Sequence, residues 1–340
     1  MPPSPSDNAN RSSLVKLAMR VGLSALIVSV LIYKVSWAKL TIVFSEMHLG
    51  LTLAAFIIIQ IGQSFSSWRW KLIAEPLGFT ASYAHFRTLF YIGTFFNLFL
   101  PTSIGGDAIR AWMLSNGKGK RLAAFSTVIA DRVAGVTAML FMACAASFMP
   151  LGELPTWIPL LPWLLLGGLL MTMAMLPKLK KYSPKVHLLI QGLGWEQGRW
   201  TTWWQAIGLS FIVQGMATLQ VILLGIALDL TVPWHAYLVI VPLVTLLTMF
   251  IPSLNGIGVR DAGLILLLAP YGVSQEQGLA LAVAWFALSI GIGLVGGLFY
   301  LFADRSWTPT VSDTPTEGDT HESVNRRTDE GRERQRQAAA

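Results

Sequence analysis

Long apolar runs separated by short polar stretches make up most of the chain. Six runs reach about 20 residues, the length a helix needs to cross the hydrocarbon of a bilayer. They lie at Leu14–Tyr33, Leu49–Trp68, Leu122–Met149, Trp157–Leu176, Trp203–Leu228 and Gln277–Phe302. Two further stretches are apolar but interrupted. His85–Ser115 is broken by Pro101-Thr-Ser-Ile-Gly-Gly106, and His235–Pro270 by Pro252-Ser-Leu-Asn-Gly-Ile-Gly258. Proline removes a helical hydrogen bond and glycine costs backbone entropy, so neither stretch reads as one continuous helix. The pattern predicts an all-α polytopic integral membrane protein.

Composition agrees. Of 340 residues, 54% are apolar and 13% charged, whereas a soluble domain carries about 25% charge. The 13 Trp suit a headgroup boundary. The single Cys144 excludes an internal disulfide and argues against a thiol metal site. The net charge of +7 sits in short segments between apolar runs, which points to topology and anionic lipid and not to nucleic acid. Arg11, Lys16 and Arg20 open the first run as in a secretion signal, but no small-x-small cleavage site follows, so the run is expected to stay as a first helix.

The basic residues predict orientation. Segment 69–87 holds Arg69, Lys71 and Arg87; 110–121 holds Arg110, Lys118, Lys120 and Arg121; 178–199 holds Lys178, Lys180, Lys181, Lys185 and Arg199. Segments 150–156, 229–235 and 270–277 hold none. The positive-inside rule then puts both termini in the cytoplasm, with the chain in the inner (plasma) membrane. Each interrupted stretch would enter and leave on one face, giving two re-entrant helical hairpins that approach the bilayer middle from opposite sides. Irregular backbone is tolerated there only when buried in protein or lining a wet cavity. The alternative is that each stretch crosses once or twice with a kink, for seven or eight apparent spans.

The halves repeat. Asn97-Leu-Phe-Leu-Pro-Thr-Ser-Ile-Gly105 parallels Thr248-Met-Phe-Ile-Pro-Ser-Leu-Asn-Gly256, and each is followed by an arginine. Each half reads as helix, helix, broken hairpin, helix, in opposite orientation, an inverted-topology repeat as in many secondary transporters. The expected organisation is a cytoplasmic segment 1–13, a membrane domain 14–303 with repeats at about 14–149 and 157–303, and a disordered cytoplasmic tail 304–340.

Ionisable residues inside a bilayer are functional suspects. Asp107 and Arg110 follow the first break, Arg260 and Asp261 the second, and Asp131 and Arg132 lie within the third span. Asp107 and Arg110 share a helix face and can pair. Either the pair only locks the hairpin, or Arg110 binds an anion that Asp107 helps orient. Arginine suits phosphate because its planar fork donates two parallel hydrogen bonds. The glycines at the breaks, Gly105, Gly106, Gly256 and Gly258, allow either tight packing or close approach of phosphate to a helix N-terminus. Arg110 and Arg260 would then form an anion site between the tips marked by Pro101 and Pro252, with Arg260 paired to Asp107 or Asp131. Asn97 and Asn255 are expected to satisfy freed backbone groups, with substrate contact as the lesser role. Gln60, Gln63, Gln214 and Gln220 read as interhelical hydrogen-bonding groups. No Walker A, His-Glu-x-x-His or Gly-x-Ser-x-Gly sequence occurs, so no enzyme activity, metal or cofactor is expected.

The motifs Asn97-Leu-Phe-Leu-Pro-Thr-Ser-Ile-Gly-Gly-Asp107-Ala-Ile-Arg110, Asp131-Arg132-Val-Ala-Gly135 and Ile251-Pro-Ser-Leu-Asn-Gly-Ile-Gly-Val-Arg260-Asp261 are similar to the flippase-like transmembrane region of lysylphosphatidylglycerol synthases. The resemblance covers roughly residues 14–303. Typical members carry Glu where this chain has Asp131 and Asp261. The resemblance implies movement of a charged or phosphate-bearing lipid between leaflets. It does not imply lipid aminoacylation, which belongs to a soluble domain that residues 304–340 are too few to supply. The expected partner is a membrane lipid, either a phospholipid or one linked to polyprenyl phosphate. An accessory subunit, a lipid-modifying transferase and a purely structural subunit are the alternatives, and the oligomeric state is open.

Overall fold

The computed structural model describes residues 45, 47–98, 105–115, 120–179, 200–251 and 256–303. The expected first helix at Leu14–Tyr33, both terminal segments, and Pro101, Pro252 and Asn255 lie outside the described residues. Among the described residues every regular element is helical. The α-helices are α1 (Leu49–Ala74), α2 (Tyr83–Asn97), α3 (Gly105–Ser115), α4 (Arg121–Ala146), α5 (Leu161–Leu179), α6 (Trp200–Ala227), α7 (Trp234–Phe250), α8 (Val259–Leu268) and α9 (Gln275–Phe302). Five helical segments are long and apolar enough to cross a membrane: those of α1, α4, α5, α6 and α9.

The interrupted stretches fold as hairpins. Arms α2 and α3 have 15 and 11 residues, and arms α7 and α8 have 17 and 10. At 1.5 Å per residue these arms span about 15–26 Å, short of the roughly 30 Å hydrocarbon core. In the first hairpin the Asn97 side chain accepts the Gly106 N–H at 2.8 Å, and Arg110 lies over the Phe90 ring, so α3 runs back along α2. In the second, a Cβ on Gly256 would touch Thr248 and one on Gly263 would touch Val244, the same fold-back. Gly256 and Gly258 have φ of 83° and 82°, a left-handed conformation that favours glycine.

The halves run in opposite directions and exchange partners. Helices α1 and α6 pack antiparallel along their length: His48 N–H donates to the Ala227 carbonyl at 3.2 Å, Gly62 faces Met216, and Arg69 reaches Ser210. Ile73 at the other end packs with Trp203, the contact expected if a two-fold axis crosses the pair. The first hairpin lays α2 against α9, where Tyr91 stacks on Phe299 and Phe95 on Tyr300. The second lays α7 against α4, where Leu246 joins Met139, Leu140 and Cys144. Each hairpin thus packs on the last helix of the opposite half, as an inverted repeat requires.

Observed helix bounds follow the apolar runs within a few residues, with one consequential exception. Helix α1 continues past Trp68 to Ala74. Buried Ser66, Trp70, Ile73 and Ala74 keep the helical spacing beyond the apolar run. Arg69 is therefore buried within a helix, and Arg87 lies inside α2 beside the Tyr83 and Phe299 rings. Neither is the loop charge the orientation count assumed.

Small residues set how closely the hairpins pack. A Cβ on Gly106 would overlap the Gly93 carbonyl oxygen, and one on Gly296 would overlap that of Tyr91. Gly106→Ala is therefore expected to destabilise the protein by about 1–3 kcal/mol through overpacking. Gly208→Ala, on α6 with open space around it, should be neutral or slightly stabilising because alanine is the better helix former. Thermal unfolding of the detergent-solubilised variants checks the contrast.

Candidate functional site

Five charged side chains from three helices meet inside the bundle. Arg69 comes from the last turns of α1, Asp107 and Arg110 from the start of α3, and Asp131 with Arg132 from α4. Arg69 Nε donates to Asp131 Oδ1 at 2.7 Å, and Arg110 Nη2 donates to Asp131 Oδ2 at 3.0 Å. Arg132 Nε donates to Asp107 Oδ2 at 2.6 Å, while Arg110 Nε lies 3.0 Å from Asp107 Oδ1. Each carboxylate is thus shared by two guanidiniums, and Arg110 links the two carboxylates. Four of these side chains are 8% exposed or less; Arg132 is 38% exposed.

The surroundings extend the network. Arg69 Nη1 donates at 2.9 Å to Ser210 Oγ on α6, whose own hydroxyl donates to the Ala206 carbonyl. The Arg110 guanidinium lies 4.7 Å from the centre of Trp70 and 4.6 Å from that of Phe90, contacts worth about 0.5–2 kcal/mol each. Trp70 is itself fixed by donating to Thr127 at 3.0 Å. Among the described residues, Arg110 Nη1 is buried without a hydrogen-bond acceptor, and its Nε meets Asp107 Oδ1 as an ion pair only. Three guanidiniums against two carboxylates leave one formal positive charge in excess.

A cavity of about 350 Å³ opens on this cluster. All five charged residues line it, with Ser66, Asn97, Gln214, Thr245 and Ser289 among the polar groups around them. Helices α1, α2, α3, α4, α6, α7 and α9 all contribute to its walls. Among the described residues no group of His, Cys, Asp and Glu is arranged to hold a metal ion.

The structure brings together Asn97, Asp107, Arg110, Asp131 and Arg132. It does not bring Arg260 or Asp261 to them. Arg260 lies outside the cavity lining, with its guanidinium 4.9 Å from the Trp285 ring centre and turned back toward Gly256. The carboxylates expected to receive it are held by the arginines of the first half. Asp261 accepts the Gly258 N–H at 3.1 Å and so caps its own helix. The Gly106 N–H is taken by Asn97, which removes one backbone donor from the anion site expected at that helix end. Gln60 accepts the Tyr91 hydroxyl at 2.7 Å and Gln214 donates to the Gly135 carbonyl at 3.3 Å, the interhelical roles expected of them. Arg69 was assigned to a loop by hydropathy; the helical spacing through Ser66, Trp70 and Ile73 is the signal that places it in the membrane domain.

Removing one partner from a buried ion pair leaves the other charge uncompensated, at about 3–5 kcal/mol. Asp131→Asn strands two buried guanidiniums and is expected to fall in that range. Asp107→Asn should cost less, because Arg132 can turn to solvent. Thermal denaturation of both variants in one detergent gives the order, and a larger loss for Asp107→Asn would contradict it.

The family model for the lysylphosphatidylglycerol synthase TM region matches residues 17–297. A UPF0104 membrane protein of Methanocaldococcus jannaschii is 37% identical over 92 residues, covering 26% of this chain and 26% of that protein. No solved structure matches the chain. The matched range spans both hairpins and all five charged residues, and the chain belongs to the lysylphosphatidylglycerol synthase TM region family.

Proposed function

We propose that the protein moves a phosphate-bearing lipid between the leaflets of the plasma membrane, holding the head group at Arg69, Arg110 and Arg132. The observation that carries this reading is the surplus positive charge beside a polar cavity in the middle of an apolar bundle. The four buried members, Arg69, Arg110, Asp107 and Asp131, balance one another, and the part-exposed Arg132 adds a positive charge at the cavity that holding the helices together does not require. An anionic head group entering the cavity supplies the missing charge and acceptors for Arg110. Arginine forks match phosphate oxygens geometrically. The inverted pairing of the two halves supplies two related arrangements around one site, the basis of alternating access. The family description also names the membrane region of a phospholipid enzyme.

In this reading the protein forms and breaks no covalent bond. Both termini face the cytoplasm, by the basic residues that remain in the orientation count once Arg69, Arg87 and Arg110 are removed. Arg260 serves to seat the second hairpin against Trp285 and does not contact the head group.

Reconstitution into vesicles with a headgroup-labelled phospholipid tests the proposal. Loss of a charge-assisted hydrogen bond, worth about 1.5–3 kcal/mol, predicts that Arg110→Gln slows transfer by about tenfold or more. Arg260→Gln should change the rate by less than that. Equal rates for the wild type and Arg110→Gln would overturn the assignment.

A further inference from the structure

We infer that the cavity selects a monoanionic phosphodiester lipid with an uncharged, hydroxylated head group. This rests on the proposal that the site holds a lipid. The lining has three cations and two anions, so a single negative charge brings it to neutrality, and a phosphate dianion overshoots. Asp107 and Asp131 are the acids of the lining, and each already serves two guanidiniums. An ammonium in the head group would have to break one of those pairs. The rest of the polar lining is neutral: the hydroxyls of Ser66, Thr245 and Ser289 and the amides of Asn97 and Gln214 suit hydroxyl partners. At about 350 Å³ the space sits at the lower end for small-molecule pockets, about 300–1,000 Å³, enough for a phosphate and one small polyol. A glycerol-headed phospholipid and a polyprenyl phosphate bearing one sugar share this chemistry.

Binding by the full-length protein in detergent, followed by native mass spectrometry, decides. The probes are phosphatidylglycerol, a polyprenyl phosphohexose, phosphatidylethanolamine, phosphatidic acid and free glycerol phosphate. The first two should bind at least tenfold tighter than phosphatidylethanolamine and phosphatidic acid, and Arg110→Gln should abolish the preference. Their relative affinity separates the two lipid sources, and weak binding of glycerol phosphate separates a lipid from a free phosphate. Tighter binding of phosphatidic acid or phosphatidylethanolamine overturns the inference. Transfer of every labelled lipid at one rate also overturns it while leaving translocation standing; selective binding without transfer sinks translocation and leaves the head-group class intact.

Discussion

Two carboxylates held between three guanidiniums govern how the helices can sit. A charge taken out of water into a low-dielectric interior must find a partner, and each pairing here joins different elements. Asp131 on α4 needs Arg69 from α1 and Arg110 from α3. Asp107 needs Arg132 from α4. Ser210 extends the same network to α6. Sliding any one of these helices by a turn would break at least one charged contact, so the register of the first half follows from the network. The close glycine contacts serve it: Gly93 and Gly106 let α3 lie against α2 with Arg110 facing inward, and Gly135 leaves room for the Arg69 guanidinium.

Most of the fold was legible because hydropathy and helix breakers report directly on bilayer thickness. Among the described residues, the runs of about 20 apolar residues are helices, and the proline–glycine breaks separate paired arms too short to cross. The i, i+3 spacing of Asp107 and Arg110 announced their pairing, and Asn97 was read correctly as a partner for freed backbone. A hydropathy window ends a span at the first arginine, so Arg69 was placed in a loop, although the residues around it keep helical spacing. Likewise, the resemblance between the two proline–glycine breaks suggested that Arg110 and Arg260 would be equivalent. Local similarity carries no information about which long-range partner a guanidinium will find.

That partner can be traced to single positions. Under a shift of 154 residues, which relates α1 to α6 and α4 to α9, Asp131 on α4 corresponds to Trp285 on α9. The first-half arginine therefore meets a carboxylate while its guanidinium lies against two aromatic rings, and the second-half arginine meets a tryptophan face. Both guanidiniums lie against aromatic surface, and the first is also drawn into the network of Asp107 and Asp131. The backbone architecture is close to symmetric while its charges are not.

This inequality has a physical basis. Backbone symmetry in such a bundle rests on small residues and apolar surface, which tolerate substitution as long as volume is kept. A buried charge network does not duplicate so easily. A second cluster of the same kind would bury further ions, each at a cost of several kcal/mol before pairing. One cluster, carried by helices of the first half, lines a cavity that helices of the second half also border. In the second half, Trp285 fills by packing the place that Asp131 fills by charge. The asymmetry of charge gathers the ion pairs at one point, and the symmetry of packing leaves that point bordered by helices from both halves.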